Sequence, residues 1–129
     1  MKPGDRFSKD FEVTQEVYAG FIAIFRDRND LHTDSVFARA RGFQDMVMHG
    51  NILNGFISYF VGECLPLRNV IIHAQEIKYN KPVYLGDRLE LQVEVTEVVE
   101  SVGVVQFRFQ FLNQTSVTVA KGKIQIGIL

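Results

Sequence analysis

The stretch that most restricts the architecture is His49 to Leu65, "HGNILNGFISYFVGECL". Ile52, Leu53, Phe56, Ile57, Phe60 and Val61 recur at four-residue intervals, which lines one side of an α-helix with apolar groups. The other side is small and polar: Asn51, Asn54, Gly55, Ser58 and Gly62. Pro66 cannot continue a helix and sets its end. Such a stripe has to be covered, and downstream the chain offers strands. "DRLELQVEVTEVV" alternates Leu89, Leu91, Val93 and Val95 with Glu90, Gln92 and Glu94, the period of a strand with one buried face. "VGVVQFRFQFLNQ" does the same with Val105, Phe107, Phe109 and Phe111. "NVIIHAQEIKYNKPV" alternates in its second half, and "SVTVAKGKIQIGIL" closes the chain. "YLGD" and "NQTS" between them read as turns.

Upstream, "VTQEVYAGFIAIFRDR" places Val13, Val17, Phe21, Ile24 and Phe25 at helical spacing, with Thr14 as the expected N-cap. "NDLHTD" reads as a turn. Ser35 is the expected cap of a brief helix, "VFARARGF", closed by Gly42. With a short strand at "DRFSKDF", the order is strand, helix, short helix, long helix, four strands. That order predicts an α+β fold, an antiparallel sheet wrapped around a long central helix. The 129 residues, without repeat or linker, predict a single domain over 1–129.

The charges, 14 basic against 15 acidic residues, contain no basic run, so no nucleic-acid partner is expected. No apolar stretch approaches the ~20 residues of a membrane span, and the N-terminus lacks the apolar core of a secretory signal. Cys64 is alone, which excludes an intrachain disulfide and fits a reducing cytoplasm.

Three places carry possible chemistry. Asp27, Asn29 and His32 cluster where the first helix ends. A carboxylate and an imidazole sharing a water can activate it and return its proton, and an amide can orient that water. The same residue types also populate ordinary turns, so both readings stand on residue type alone. His49-Gly50 precedes the long helix. Free N–H groups at a helix start, unshielded at glycine, suit a polarised carbonyl oxygen; a tight turn is the alternative. Ser58 lies on the polar side of that helix. Its hydroxyl can orient a carboxylate such as Asp27, or bond the carbonyl one turn earlier. His73 is expected in the core or at a sheet edge, and Cys64 as a small buried apolar group. Arg26, Arg28, Arg39, Arg41 and Arg68 are expected at the surface, some within reach of phosphates. The three histidines show no metal-site spacing.

The segment "FRDRNDLHTDSVFARARGFQDMVMHGNILNGFISYFVGECLP" resembles the core of the (R)-specific enoyl-CoA hydratases, also called hydratase 2 or MaoC-like proteins. Their pattern runs Asp-x-Asn-Pro-Leu-His, an Asp two on, an aromatic-Ala pair, then Phe-x-x-x-Ile-Val-His-Gly before a helix. Asp27, Asn29, Leu31, His32, Asp34, Phe37-Ala38, Phe43, Val47 and His49-Gly50 match in register. Pro82, Val83, Gly86 and Asp87 match a later "F-x-x-P-V-x-x-G-D". Asp30 stands where the family has proline, Arg26 where it often has glycine, and Leu67 where "Leu-Pro-Gly" has its glycine.

The resemblance implies a hotdog fold, usually paired with a second copy, so a homodimer or a dimer-based assembly is expected. It implies hydration of a trans-2-enoyl-CoA or acyl-carrier-protein thioester to the (R)-3-hydroxyacyl thioester, or the reverse. The CoA thioester is then substrate, and no separate cofactor is expected. Asp27 and His32 match the catalytic pair and Asn29 the assisting amide. Gly50, beside His49, matches the residue whose N–H holds the thioester oxygen, and Ser58 the serine that steadies the aspartate. The rival readings are a hotdog acyl-CoA thioesterase and a non-catalytic acyl-thioester-binding module.

Overall fold

The computed structural model describes residues 1–129. Its elements are β1 (Arg6–Glu12), α1 (Gln15–Phe25), α2 (Asp30–Thr33), α3 (Ser35–Ala40), α4 (Asn51–Tyr59, continued by a wider π-helical turn over Phe60–Cys64), β2 (Val70–Tyr79), β3 (Arg88–Val99), β4 (Val104–Leu112) and β5 (Thr118–Ile128). The five strands form one antiparallel sheet in the order β1-β3-β4-β5-β2. This is the expected α+β hotdog arrangement, with the sheet curled over α4.

Alternation decides which face of the sheet is dry. Leu89, Leu91, Val93 and Val95 of β3, and Val105, Phe107, Phe109 and Phe111 of β4, are all buried. They share one cluster with Ile52, Leu53, Ile57, Phe60 and Val61 of the central helix. β1 closes the side, where Phe11 stacks on Phe56 at 4.5 Å and Phe7 meets Phe60 edge-on at 6.3 Å. Register breaks at Val95/Glu97 and Ile72/Ala74 add the extra residues that let strands bend around a helix.

Three expectations change. The stripe of α1 is rotated. Val13 lies ahead of the helix and Tyr18 is its buried residue, while Ile24 and Phe25 are 72% and 67% exposed. Thr14 does cap α1, accepting from the Val17 N–H at 3.1 Å. Val13 and Tyr18 then stand at the two positions of a hydrophobic staple, which aims the helix and turns its last residues outward. Second, the expected turn after α1 holds a helical turn, α2. Third, Asp34 rather than Ser35 caps α3. The extended backbone of Asp34 (φ −124°) lets its carboxylate take the Phe37 N–H at 3.1 Å. Ser35 sits inside the first turn and donates instead to Asp45 at 2.6 Å.

Candidate active site

The site is built where the end of α1, α2 and the start of α4 meet the loop after β2. Helix α1 stops because Arg26 turns left-handed (φ 62°) while its N–H still closes on the Ile22 carbonyl at 2.8 Å. That turn throws Asp27 to Asn29 across the top of the molecule. Asn29 restarts the helix: its side-chain oxygen accepts the Leu31 N–H at 3.0 Å. One turn later, His32 faces inward.

Contacts to its side chain and its backbone fix His32. The Val47 carbonyl, which can only accept, lies 2.7 Å from Nδ1, so Nδ1 carries a proton and, in the neutral ring, Nε2 is the acceptor. The His32 carbonyl takes the phenol proton of Tyr18 at 2.6 Å. Burial pushes the Tyr18 phenol above its usual pKa. The Val47 N–H returns to the Leu31 carbonyl at 3.0 Å, locking the 43–48 loop against α2. Asp45 holds the other side of that loop. Hydrogen bonds from the Ser35 hydroxyl and the Met46 N–H draw its pKa below the usual carboxylate range.

Asp27 Oδ2 lies 3.8 Å from His32 Nε2. That gap exceeds a hydrogen bond, and a water about 2.8 Å from each atom fits it. The other carboxylate oxygen accepts the Asn29 N–H at 3.1 Å. His49 lies beneath, 3% exposed. Its ring stacks on His32 at 4.0 Å and lies tilted against Phe21 at 4.6 Å, and its Nε2 donates to the Asp27 carbonyl at 2.8 Å.

An open pocket of about 480 Å³ is lined by Asp27, His32, His49 and Gly50, with Phe21, Val47 and Leu53 as apolar wall. Gly50 stands at the N-terminus of α4, and its N–H meets no acceptor in the protein. A Cβ there would come to 2.8 Å from the Tyr79 ring, which would have to move aside. The free N–H and the helix dipole suit an oxygen that gains negative charge.

Two sequence candidates take other places. Asn29 does not line the pocket; its amide oxygen is spent on capping α2. Ser58 is exposed, makes no hydrogen bond to Asp27 and is absent from the pocket wall. The expected bond from Ser58 to Asp27 is therefore corrected: the polar side of α4 at Ser58 faces outward. The structure adds Tyr79, the last residue of β2, and Lys81 from the loop after it, and Lys81 is the one Lys or Arg in the lining. Their signal was the "YNKPV" segment, whose proline and valine carried the family match. Arg39 and Arg68 pair with Asp45 and Glu63, and Arg41 covers the Phe37 ring at 3.5 Å. His73 lies on the edge strand β2, as expected.

Asp27, His32 and His49 offer three possible metal-ligand atoms within 4.8 Å of one another, a cluster that no sequence spacing announces. The two rings are nearly parallel, 28° apart.

The family model described as a MaoC-like domain matches residues 2–115. The (R)-specific enoyl-CoA hydratase of Aeromonas caviae is 30% identical over 123 residues, covering 95% of this chain and 90% of that protein. The (R)-specific enoyl-CoA hydratase of Rhodospirillum rubrum is 34% identical over 126 residues, covering 98% and 83%. Among solved structures, the A. caviae (R)-hydratase involved in PHA biosynthesis superposes with a TM-score of 0.91 at 25% identity, over 100% of this chain and 98% of that one.

Proposed function

The chain belongs to the MaoC-like domain family, and on that premise we propose that it is a hydro-lyase acting on a trans-2-enoyl thioester. It adds water to give the (R)-3-hydroxyacyl thioester, or runs the reverse elimination, as its hydratase and dehydratase relatives are named. The observation that carries the roles of particular residues is the Asp27–His32 pair, 3.8 Å apart on the pocket wall.

The chemistry follows from the atoms that pair presents. Asp27 offers a carboxylate oxygen and His32 offers Nε2, so a water between them meets two acceptors. As its oxygen forms the bond to the β-carbon, a water proton passes to the pair. The C=C electrons shift toward the thioester, whose oxygen gains charge. The Gly50 N–H at the start of α4 answers that charge. The α-carbon then takes a proton from the pair, and one water has been added. The proton is assigned to the pair and not to either side chain. Phe21, Val47 and Leu53 give the acyl chain an apolar wall, and Lys81 gives the mouth a cation suited to a phosphate of CoA or of a carrier's pantetheine arm.

We also infer a homodimer. β2 is an edge strand, its backbone groups on one side have no partner strand, and Ile71 and Tyr79 on it are about half exposed. A second copy would cover both. Light scattering should give twice the 14.7 kDa chain mass at micromolar concentration; a monomer there refutes the pairing. No helix is long and apolar enough to cross a membrane.

The first test is crotonyl-CoA with the purified protein, following loss of enoyl-thioester absorbance beside a free-thiol assay. Loss without thiol release is the expected result. Thiol release would replace hydration by thioester hydrolysis. Silence across a panel of longer and branched enoyl thioesters would leave a binding module.

A further inference from the structure

We propose that His49 is a positioning residue, which holds Asp27 in register with His32 through the Asp27 backbone. The inference rests on the hydration reading for its kinetic consequence and on geometry for its structural one.

Asp27 sits in a stretch without regular structure. Residues 26–29 are all exposed, between a left-handed Arg26 and the cap of α2. A carboxylate on such a segment has few restraints. Its Oδ1 accepts the Asn29 N–H, a bond between neighbours that moves with the segment. The tie that joins Asp27 to the body of the protein is the bond from His49 Nε2 to the Asp27 carbonyl at 2.8 Å. The two residues are 22 positions apart, and His49 precedes the buried helix α4, anchored by the Met48 N–H on the Val83 carbonyl at 2.8 Å. A carbonyl only accepts, so His49 Nε2 carries the proton.

The rest of His49 shows why an imidazole stands there. The ring is packed between Phe21 and His32. Its Nδ1 is buried with no partner, an arrangement that costs free energy. A phenyl ring would fill the same stack without that cost. What phenyl lacks is the N–H to Asp27. One ring therefore does two jobs: its face backs His32, and its edge holds the main chain of Asp27. His49 thus touches both reacting residues, His32 through its face and Asp27 through its edge.

The test separates the N–H from the ring. His49→Phe keeps the stack and loses the donor. His49→Gln places an amide N–H at a comparable reach and loses the ring. With crotonyl-CoA, His49→Phe is expected to lower kcat on the order of 100-fold, the scale of a misplaced reacting group. KM should move little, and His49→Gln should recover most of the rate. Full kcat in His49→Phe, or no recovery in His49→Gln, overturns the proposal. If wild-type protein hydrates no enoyl thioester, the hydration reading fails, and His49 is still tested by the NMR shift of the Arg28 amide, which shares the peptide group of the Asp27 carbonyl. That amide should move in His49→Phe and stay near its wild-type position in His49→Gln; an unmoved amide in His49→Phe, or an equal move in both variants, overturns the tie. Should His49→Phe fail to fold, His49→Asn replaces it, because its shorter amide stops short of the carbonyl.

Discussion

Arg26 is a non-glycine residue held at φ 62°, next to the proposed catalytic carboxylate. For an L-residue this left-handed conformation costs about 1–2 kcal/mol. Glycine adopts it freely but loses about 0.5–1 kcal/mol more in backbone entropy on folding. Arg26→Gly should therefore stabilise the protein by about 0.5–1 kcal/mol. With about 2.1 cal/mol/K of unfolding entropy per residue, a chain of 129 residues carries about 0.27 kcal/mol/K at its midpoint. The expected rise in Tm is then about 2–4 °C. Losing the guanidinium beside Asp27 is a separate effect, and Arg26→Ala isolates it: alanine loses the charge but keeps the left-handed penalty. Thermal melts by circular dichroism at one pH and salt concentration compare the three proteins. Glycine should rise while alanine stays near wild type. An equal rise in both would assign the effect to charge. No rise with glycine would mean that Arg26 carries no strain, and that the chain reverses here for reasons other than the backbone of residue 26.

The other predictions concern the site and its frame. Asp27→Asn keeps an oxygen for the Asn29 amide but not the charge; kcat on crotonyl-CoA should fall on the order of 10²–10⁴-fold, with Tm within about 2 °C of wild type, and retained activity would remove Asp27 from its role. The Tyr18 phenol is held above its usual pKa by burial, so the native state keeps a proton that the unfolded chain releases from about pH 10. Stability from this group is full below about pH 10 and is lost as pH rises further; chemical denaturation between pH 8 and 11 should show that this alkaline decline is smaller in Tyr18→Phe. Asp30→Pro should leave Tm within about 2 °C, because Asp30 is the first residue of α2 and its N–H bonds nothing; a fall of about 10 °C, the scale of an interior proline, would refute that placement.

The fold was legible because two periods are written into the chain without ambiguity. The fourfold spacing from Ile52 to Val61 and the twofold spacing from Leu89 to Phe111 each allow one buried face, and burying both leaves the sheet on the helix. The end of α1 was harder. Ile24 and Phe25 continue a helical spacing, yet both point outward. Periodicity records where apolar residues could be buried, and the buried side is chosen by the Val13–Tyr18 entry. The site divides in the same way. Asp27 and His32 lie close in sequence, and a left-handed residue and a cap are enough to bring them near each other. The contact between His49 and Asp27 spans 22 positions and exists only once α4 is seated. No spacing rule could announce it, and the same holds for Tyr79 over Gly50.

Asp30 shows how a departure from a family pattern can leave geometry untouched. The family proline would sit at the first position of α2, where a missing N–H is harmless and a fixed φ near −65° suits the helix. The residue before it must then be extended, and Asn29 is, at φ −53° and ψ 141°. Asp30 meets the same demands by other means. Its N–H is unused, and its carboxylate lies at the positive end of the turn, where a negative charge is favoured. Its carbonyl receives the Asp34 N–H at 2.9 Å. What the position requires is a residue that starts a helix after a capping asparagine. Proline and aspartate both satisfy it, so the turn that delivers His32 beside Asp27 survives the exchange.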